Sequence, residues 1–399
     1  MIDLALIGFG NRAGKYASCL GGKARITVIV EPSAERRSYA ISKVKLPPEQ
    51  CFSRFEDFIS SGIPVDAVII ASPDKTHYDF ACQCLRKGWP VLLEKPMATD
   101  PAECVDLARL SAQTGVGITV CYELRYHPYF IKLKELAGDP ALGQPLSVDW
   151  TIDVGLNRMM HSYIRGMWGR EKETAPIALT KLCHDVVLLL WMLPGEQSAW
   201  HLSGERKFFR AENAPEGAAA RCLDCPLEKG CKFSAVDLYL RQREWIRNFI
   251  PLPGESVDEM LHRILRETDF GRCVFYSDND VNDTQSITML YPDGLKVCIR
   301  MECIQRGGER KAHFVFENGE IDAGAAAITL RRKDVAPEIF DFSDIVGAPL
   351  HAGADKKMVL EFIDSVISGK TTRSDLATAL KSHLICMGSP CDGPANRLD

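Results

Sequence analysis

Leu4-Ala5-Leu6-Ile7-Gly8-Phe9-Gly10-Asn11-Arg12-Ala13-Gly14 opens the chain with an apolar run that ends in two closely spaced glycines. Residues Lys15 to Leu20 follow and read as a helix. Strand, tight turn and helix in that order are the context of a dinucleotide-binding fingerprint. Gly8 permits the turn, and Gly10 lets backbone approach a pyrophosphate. Ala13 takes the third position, where a small residue lets helix pack on strand. The helix start offers free N–H groups and a positive dipole end to phosphates. Phe9, Asn11 and Arg12 complete the loop expected at the cofactor.

A second buried strand, Arg25 to Val30, ends in Glu31, about 20 residues past the glycines. An acid at that distance holds the adenosine ribose hydroxyls and repels a 2′-phosphate, so NAD is favoured over NADP. Arg36 and Arg37 follow closely and temper the preference. A solvated strand end is the plainer account of Glu31.

The chain has 399 residues, enough for two domains with sizeable cores. It is 46% hydrophobic and 25% charged with a net charge of −5 of mixed sign, which gives no reason to expect nucleic acid as a partner. No stretch of about 20 apolar residues suggests a membrane span. A strand from Ile2 with no basic or apolar leader before it, and fifteen scattered cysteines, predict a reducing, cytoplasmic location.

The fold class follows from alternation. Helical stretches at Ser33 to Val44, Lys75 to Lys87 and Pro101 to Thr114 separate apolar strands at Val65 to Ala71, Val91 to Leu93 and Gly117 to Cys121. Such strands imply a doubly wound α/β domain, a parallel sheet covered on both faces, over residues 1–122. Beyond Leu146 the strands alternate and meet at hairpin signals, Pro292-Asp293-Gly294 and Asn318-Gly319. Helices are expected at Pro176 to Leu193, Ser234 to Asn248, Lys356 to Ile367 and Leu376 to Cys386. Residues 123–387 therefore read as an α+β domain on a largely antiparallel sheet, and 388–399 as a disordered tail.

Ligands of doubly wound sheets bind at the carboxyl ends of the strands. Val91-Leu92-Leu93 ends there in Glu94-Lys95-Pro96, so Lys95 points to the cofactor's reactive end. Ser72-Pro73-Asp74, with His77, ends the neighbouring strand and forms a cofactor wall. On the helix from Pro176, Lys181, His184 and Asp185 stand at i, i+3 and i+4 and share one face. Three ionisable groups at the start of an apolar helix are costly to bury without a purpose, and His184 titrates in the range of a proton shuttle. Cys222, Cys225 and Cys231, with Cys273 as a fourth ligand, make a structural zinc or iron–sulfur site a candidate, with free thiols as the alternative.

Gly8-Phe9-Gly10-Asn11-Arg12, Ser72-Pro73-Asp74 with His77, Glu94-Lys95-Pro96 and His184-Asp185 together resemble the glucose–fructose oxidoreductase/inositol dehydrogenase family, Gfo/Idh/MocA. Leu124 to Pro128, His161 to Trp168 and the cysteine-rich loop extend the resemblance. It implies a Rossmann domain, NAD(P), a sugar-like substrate, and a homo-oligomer, dimer or tetramer. In the implied reaction His184 takes the proton of a secondary alcohol while hydride leaves, and Lys95 hydrogen-bonds the same oxygen. Lys181 and Asp185 tune His184 or bind neighbouring hydroxyls. Tyr122, Arg125, Tyr126, Tyr163, Arg165 and Trp168 are expected around the substrate. Many members carry an acid four residues before the histidine, where this chain has Thr180. Two other functions use the same parts: glycoside cleavage by transient oxidation, elimination and re-reduction, and a non-catalytic nucleotide-binding scaffold.

Overall fold

The computed structural model describes residues 1–246, 249–252, 254–304 and 308–390. Six strands form the first sheet: β1 (Ile2–Ile7), β2 (Ala24–Val30), β3 (Cys51–Phe52), β4 (Ala67–Ile70), β5 (Val91–Leu93) and β6 (Ile118–Val120). All pairs are parallel, in the order β3-β2-β1-β4-β5-β6. The order reverses between β1 and β4, which opens a crevice at their carboxyl ends.

Alternate residues of β1 serve different layers. Leu4 and Leu6 pack under helices 11–17 and 34–44, whereas Ala5 and Ile7 face the cluster that holds helices 55–61, 77–86 and 101–114. The helix after the glycines begins at Asn11 and ends at Ala17, earlier than the predicted Lys15 to Leu20, because Gly10 already caps it. Its face of the sheet is completed from far away: Met358, Val359, Phe362 and Ile363 of helix 354–368 join Leu4, Leu6 and Phe9 in one core. The expected boundary at residue 122 is thus crossed, since this C-terminal helix packs with the first domain.

The second sheet has eight strands: β7 (Pro145–Asp153), β8 (Ala199–Glu205), β9 (Thr284–Leu290), β10 (Lys296–Glu302), β11 (Arg310–Phe316), β12 (Gly319–Ala323), β13 (Ala327–Arg332) and β14 (Glu338–Asp341). Its order is β14-β13-β12-β11-β7-β10-β9-β8, antiparallel except for β7 with β10. Val148, Trp150 and Ile152 of β7 face the core, while Ser147, Asp149 and Thr151 face outward. Gly294, with φ +95°, makes the predicted β9/β10 turn. At the next hairpin the turn is Glu317-Asn318, and Gly319 already pairs with Phe316 in the ladder. A Cβ on Gly319 would lie 2.4 Å from the Arg331 carbonyl oxygen, so glycine is needed there for close packing.

The predicted helix Ser234 to Asn248 is cut short. Helical residues stop at Arg241, and Arg243 and Trp245 adopt left-handed backbone with φ of 53° and 61°. That turn brings Trp245 onto the His161 ring, 5.0 Å between centroids. Asn248 lies outside the described residues, as do residues 391–399 of the predicted disordered tail. The tail's start is placed: the Trp200 indole donates to the Ser389 carbonyl at 2.6 Å. Among the described residues no helix is long and apolar enough to cross a membrane.

Helix 376–386 joins the two layers through His383, which accepts from the Met97 backbone N–H at 2.8 Å and donates to the Ala379 carbonyl at 2.7 Å. Burial pushes this imidazole down to about 4. A histidine whose folded pKa lies below its unfolded value binds a proton on acid unfolding. Its contribution is intact above about pH 6.5 and lost as pH falls toward 4, by roughly 3 kcal/mol over that window. Thermal melts across pH 7 to 4.5 should therefore show a steep loss in the native protein. His383→Gln should cost about 1–3 kcal/mol at pH 7 through the lost buried hydrogen bonds and show a shallower loss in acid.

Candidate active site

Gly8 ends β1 with φ +82°, and a Cβ there would lie 2.7 Å from the Ala71 carbonyl oxygen and 2.9 Å from the Ser72 nitrogen. The first glycine is therefore required by the close approach of β4. A Cβ on Gly10 would meet nothing within 4 Å, so this backbone faces open space at the start of the helix. Glu31, 6% exposed at the end of β2, accepts from the Phe9 N–H at 2.8 Å and the Ser33 N–H at 3.0 Å. It fixes the glycine turn, and its oxygens keep acceptor capacity for a diol. Arg37 is tied to the carbonyls of Glu31 and Pro32, while Arg36 lines the cleft. These residues fit a dinucleotide: a turn only glycine can make, open backbone beside it, and an acid at the next strand end.

Ser72 and His77 brace the wall of this crevice. The His77 ring spans the ends of two strands, with Nε2 2.9 Å from the Ser72 carbonyl and Nδ1 2.7 Å from that of Pro96. Arg12 contributes its backbone to the loop, whereas its guanidinium turns inward to Glu94 at 2.9 Å and Asp355 at 2.7 Å.

One cleft of about 2790 Å³ runs from the glycine turn past Lys95 to the second domain, where Tyr163, Trp168, Lys181 and His184 line it. Trp168 donates from its indole to Asp74 at 2.8 Å and so clasps the segment 163–168 to the end of β4. Tyr163 lines the cleft and is 3% exposed. Lys95 Nζ donates to the Thr180 carbonyl at 2.8 Å. Thr180 belongs to a π-helical turn, residues 178–182, that opens the helix bearing His184. The Thr180 hydroxyl donates back to the Pro176 carbonyl at 3.4 Å.

Burial alone would lower Lys95, but Cys183, Tyr163 and the carboxylates of Asp74 and Glu94 outweigh it, and the ammonium is held above its ordinary range. His184 is driven the other way: burial, then the charges of Lys95, Arg310 and Lys181, push it well below the ordinary histidine range. Its Nδ1 is buried with no hydrogen-bond partner among the described residues and lies 3.9 Å from Glu123 Oε2. His184 itself lines the cleft. Burial, with Arg310 and Arg158 beside it, brings Lys181 down to about 7 against the pull of Asp185. At neutral pH the cleft thus holds a neutral imidazole beside a cationic lysine.

Several expected site residues are placed elsewhere. Asp185 has 0% exposure; it accepts from the Trp150 indole at 3.0 Å and from both ends of the Arg310 guanidinium. It anchors the helix to β7 and β11 and positions Arg310. Tyr122 is buried with its hydroxyl on Ser382 and His383, and its ring backs His184 edge-on. Arg125 pairs with Asp375 at 3.1 Å over the Trp191 ring, and Tyr126 lies buried under Arg373. These three tie the C-terminal segment down and do not line the cleft. Arg165 does line the cleft, but sends its guanidinium to the carbonyls of Arg272 and Phe233, each at 2.7 Å, and to Cys222 Sγ at 3.6 Å.

Cys222, Cys225, Cys231 and Cys273 do line one small cavity, of about 30 Å³. Yet no group of three or more His, Cys, Asp or Glu side chains among the described residues is placed to hold a metal ion. Burial pushes the Cys273 thiol up, and Cys222 accepts from the Ala235 N–H at 3.4 Å. The zinc or cluster expected from the spacing finds no ligand set in this arrangement; the loop is held by packing and by Arg165.

Three residues that the sequence did not single out enter the site. Glu123 stands just past the end of β6, a position that strand-end reasoning reaches. Arg158 and Arg310 line the cleft from a short helix and from β11, with no local signal.

Residues 2–122 match Gfo/Idh/MocA, an oxidoreductase family with an NAD-binding Rossmann fold. Bacillus subtilis YteT is 26% identical over 273 residues, 65% of this chain and 61% of that protein. Inositol 2-dehydrogenase 2 of Saccharopolyspora erythraea is 32% identical over 135 residues, 33% of this chain and 36% of that protein. The chain thus spans about three fifths of the first relative and little more than a third of the second. A structure of levoglucosan dehydrogenase in complex with NADH and levoglucosan shares the fold, with a TM-score of 0.70 at 13% identity over 96% of this chain and 95% of that one. With its glycine turn and the match over residues 2–122, the first part of the chain is similar to the Gfo/Idh/MocA family of oxidoreductases, and the whole chain shares the fold of levoglucosan dehydrogenase.

Proposed function

We propose that the protein oxidises a secondary alcohol of a sugar, inositol or related polyol and passes hydride to NAD. The observation that carries this reading is that a cationic lysine and a neutral histidine, from different domains, meet in one cleft beside the glycine turn. Residues Gly8 to Arg12 and Glu31 are the ones to hold NAD, which supplies the hydride acceptor when bound. His184 Nε2 takes the hydroxyl proton, since burial keeps the ring free to accept it. Lys95, oriented by the Thr180 carbonyl, donates to the same oxygen and stabilises negative charge as it develops. Tyr163 and Trp168 border the substrate, and Glu123 beside Nδ1 stabilises the imidazolium that forms. Glu31 favours NAD over NADP because a 2′-phosphate would meet its carboxylate.

The first test is NADH formation, followed at 340 nm, over a panel of sugars, inositols, sugar acids and glycosides. Aglycone release from a glycoside without net NADH would replace this reading by oxidation, elimination and re-reduction, with Lys181 as the second base. Lys95→Ala should lower kcat by about 10²–10⁴ while the NAD Kd, read by fluorescence titration, stays within about threefold. Loss of NAD binding to the same extent would remove Lys95 from the chemistry.

The depressed pKa of His184 places the acid limb of kcat below pH 6.5, because the base stays unprotonated until then. His184→Gln should remove that limb and lower kcat by about 10²–10³, with the substrate KM changed little. A limb unchanged in the variant would assign it to another group. Glu31→Ser should weaken NAD about tenfold, near 1.4 kcal/mol, and narrow the preference over NADP. Equal loss for both cofactors would count against the ribose contact.

A further inference from the structure

The second-domain wall of the cleft carries three basic side chains, Arg158, Lys181 and Arg310, beside His184. Only Arg310 is hydrogen-bonded to a counter-charge: Asp185 accepts from its Nε and Nη2, and its pull on Lys181 is outweighed by burial and the two arginines. The side chains of Arg158 and Lys181 make no ion pair or hydrogen bond with any described residue. Arg158 lies over the Trp245 ring, 5.1 Å from its centroid, and its buried Nε has no partner.

Elsewhere in this chain the buried guanidinium groups are committed. Arg12 has Glu94 and Asp355, Arg125 has Asp375, and Arg165 has two carbonyls. A cation taken from water without a partner is costly, and two that face each other cost more. Their mutual repulsion is visible in Lys181, which Arg310 and Arg158 both push down. An anion between them removes that cost, and arginine is the side chain suited to a planar or tetrahedral oxyanion. The stacked Trp245 holds the guanidinium in place from its other side.

We propose that Arg158 and Lys181 bind an anionic substituent of the substrate, a carboxylate or phosphate, so that the protein acts on acidic sugars in preference to neutral ones. This rests on the dehydrogenase reading of the same cleft. Arg310 supports the site from behind, and Asp185 fixes Arg310. Anion binding also draws Lys181 into its charged form, so the affinity for an acidic substrate falls as pH rises above about 7.

The test separates binding from turnover. Thermal shifts of the NAD-loaded full chain are measured with D-glucuronate, D-gluconate and glucose 6-phosphate against D-glucose and myo-inositol, alongside NADH formation on the same panel. The expected result is stabilisation by at least one acid and not by its neutral counterpart. In Arg158→Ala and Lys181→Gln that stabilisation should drop by about tenfold or more in Kd, with NAD affinity retained. Glucuronate or gluconate as the responsive probe identifies a carboxylate; glucose 6-phosphate identifies a phosphate. Acid binding without NADH would keep this inference and overturn the dehydrogenase reading. NADH formed equally from neutral polyols, or no shift with any acid, would overturn the anion site and leave the dehydrogenase reading standing.

Discussion

A single guanidinium holds the pieces of this site together. Arg12 lies between Glu94 at 2.9 Å, Asp355 at 2.7 Å and Glu123 at 3.8 Å, with the Tyr16 hydroxyl bonded to both Arg12 and Glu94. Those groups come from the first helix, the end of β5, the turn after β6 and the C-terminal helix. Burial opposes the charge on Arg12, but Tyr16 and the three carboxylates outweigh it. Such a cluster need not add net stability, since desolvation offsets attraction; removing one member leaves a buried charge and costs about 3–5 kcal/mol. Its effect is positional. Lys95 follows Glu94, and Glu123 lies 3.9 Å from His184 Nδ1, so the two groups proposed to react both border carboxylates that this cation holds.

The cleft then treats two buried lysines in opposite ways. Lys95 sits where the first domain brings Asp74 and Glu94, and it stays charged despite burial. Lys181 sits where the second domain brings Arg158 and Arg310, and it gives up much of its hold on a proton. Burial is common to both, so the sign is set by the neighbours. Groups whose surroundings drive their pKa values apart are the usual mark of divided acid and base roles. In the proposed reaction the division follows the domain boundary, with the charged Lys95 on the nucleotide side and the neutral His184 on the other.

Elements defined by local signals were legible in the chain. Helix Pro101–Thr114 is bounded as predicted because Asp100 caps it, Pro101 starts it and Gly115 ends it in left-handed backbone. Leu376–Cys386 begins at an equally plain cap, Asp375. Elements set by distant partners were not. The periodicity of residues 356–367 shows a helix but not that its apolar face belongs to β1 and β4, more than 280 residues earlier. Asn318-Gly319 looks like a turn, yet Gly319 pairs with Phe316 in the ladder, beside Arg331 and Leu142, where a Cβ would clash, and the turn is one residue earlier.

The same division runs through the site. Lys95, Ser72 and Glu31 were found because strand ends fix where their backbones go, whatever surrounds them. Tyr122, Arg125 and Tyr126 also follow a strand end, but Asp375, Ser382, His383 and Arg373 take their side chains out of the cleft. What that withdrawal leaves beside the histidine is Glu123, held by Arg12 and 3.8 Å from the His351 ring. In the proposed reaction it takes the place of an acid at position 180. A carboxylate is useful to His184 through its distance from Nδ1, and a turn of chain after β6 supplies that as well as the preceding helical turn would. Thr180 is then free to serve through its backbone, where the π-helical turn presents its carbonyl to Lys95. The charge and the orienting acceptor have been divided between two elements, and only their meeting in space shows it.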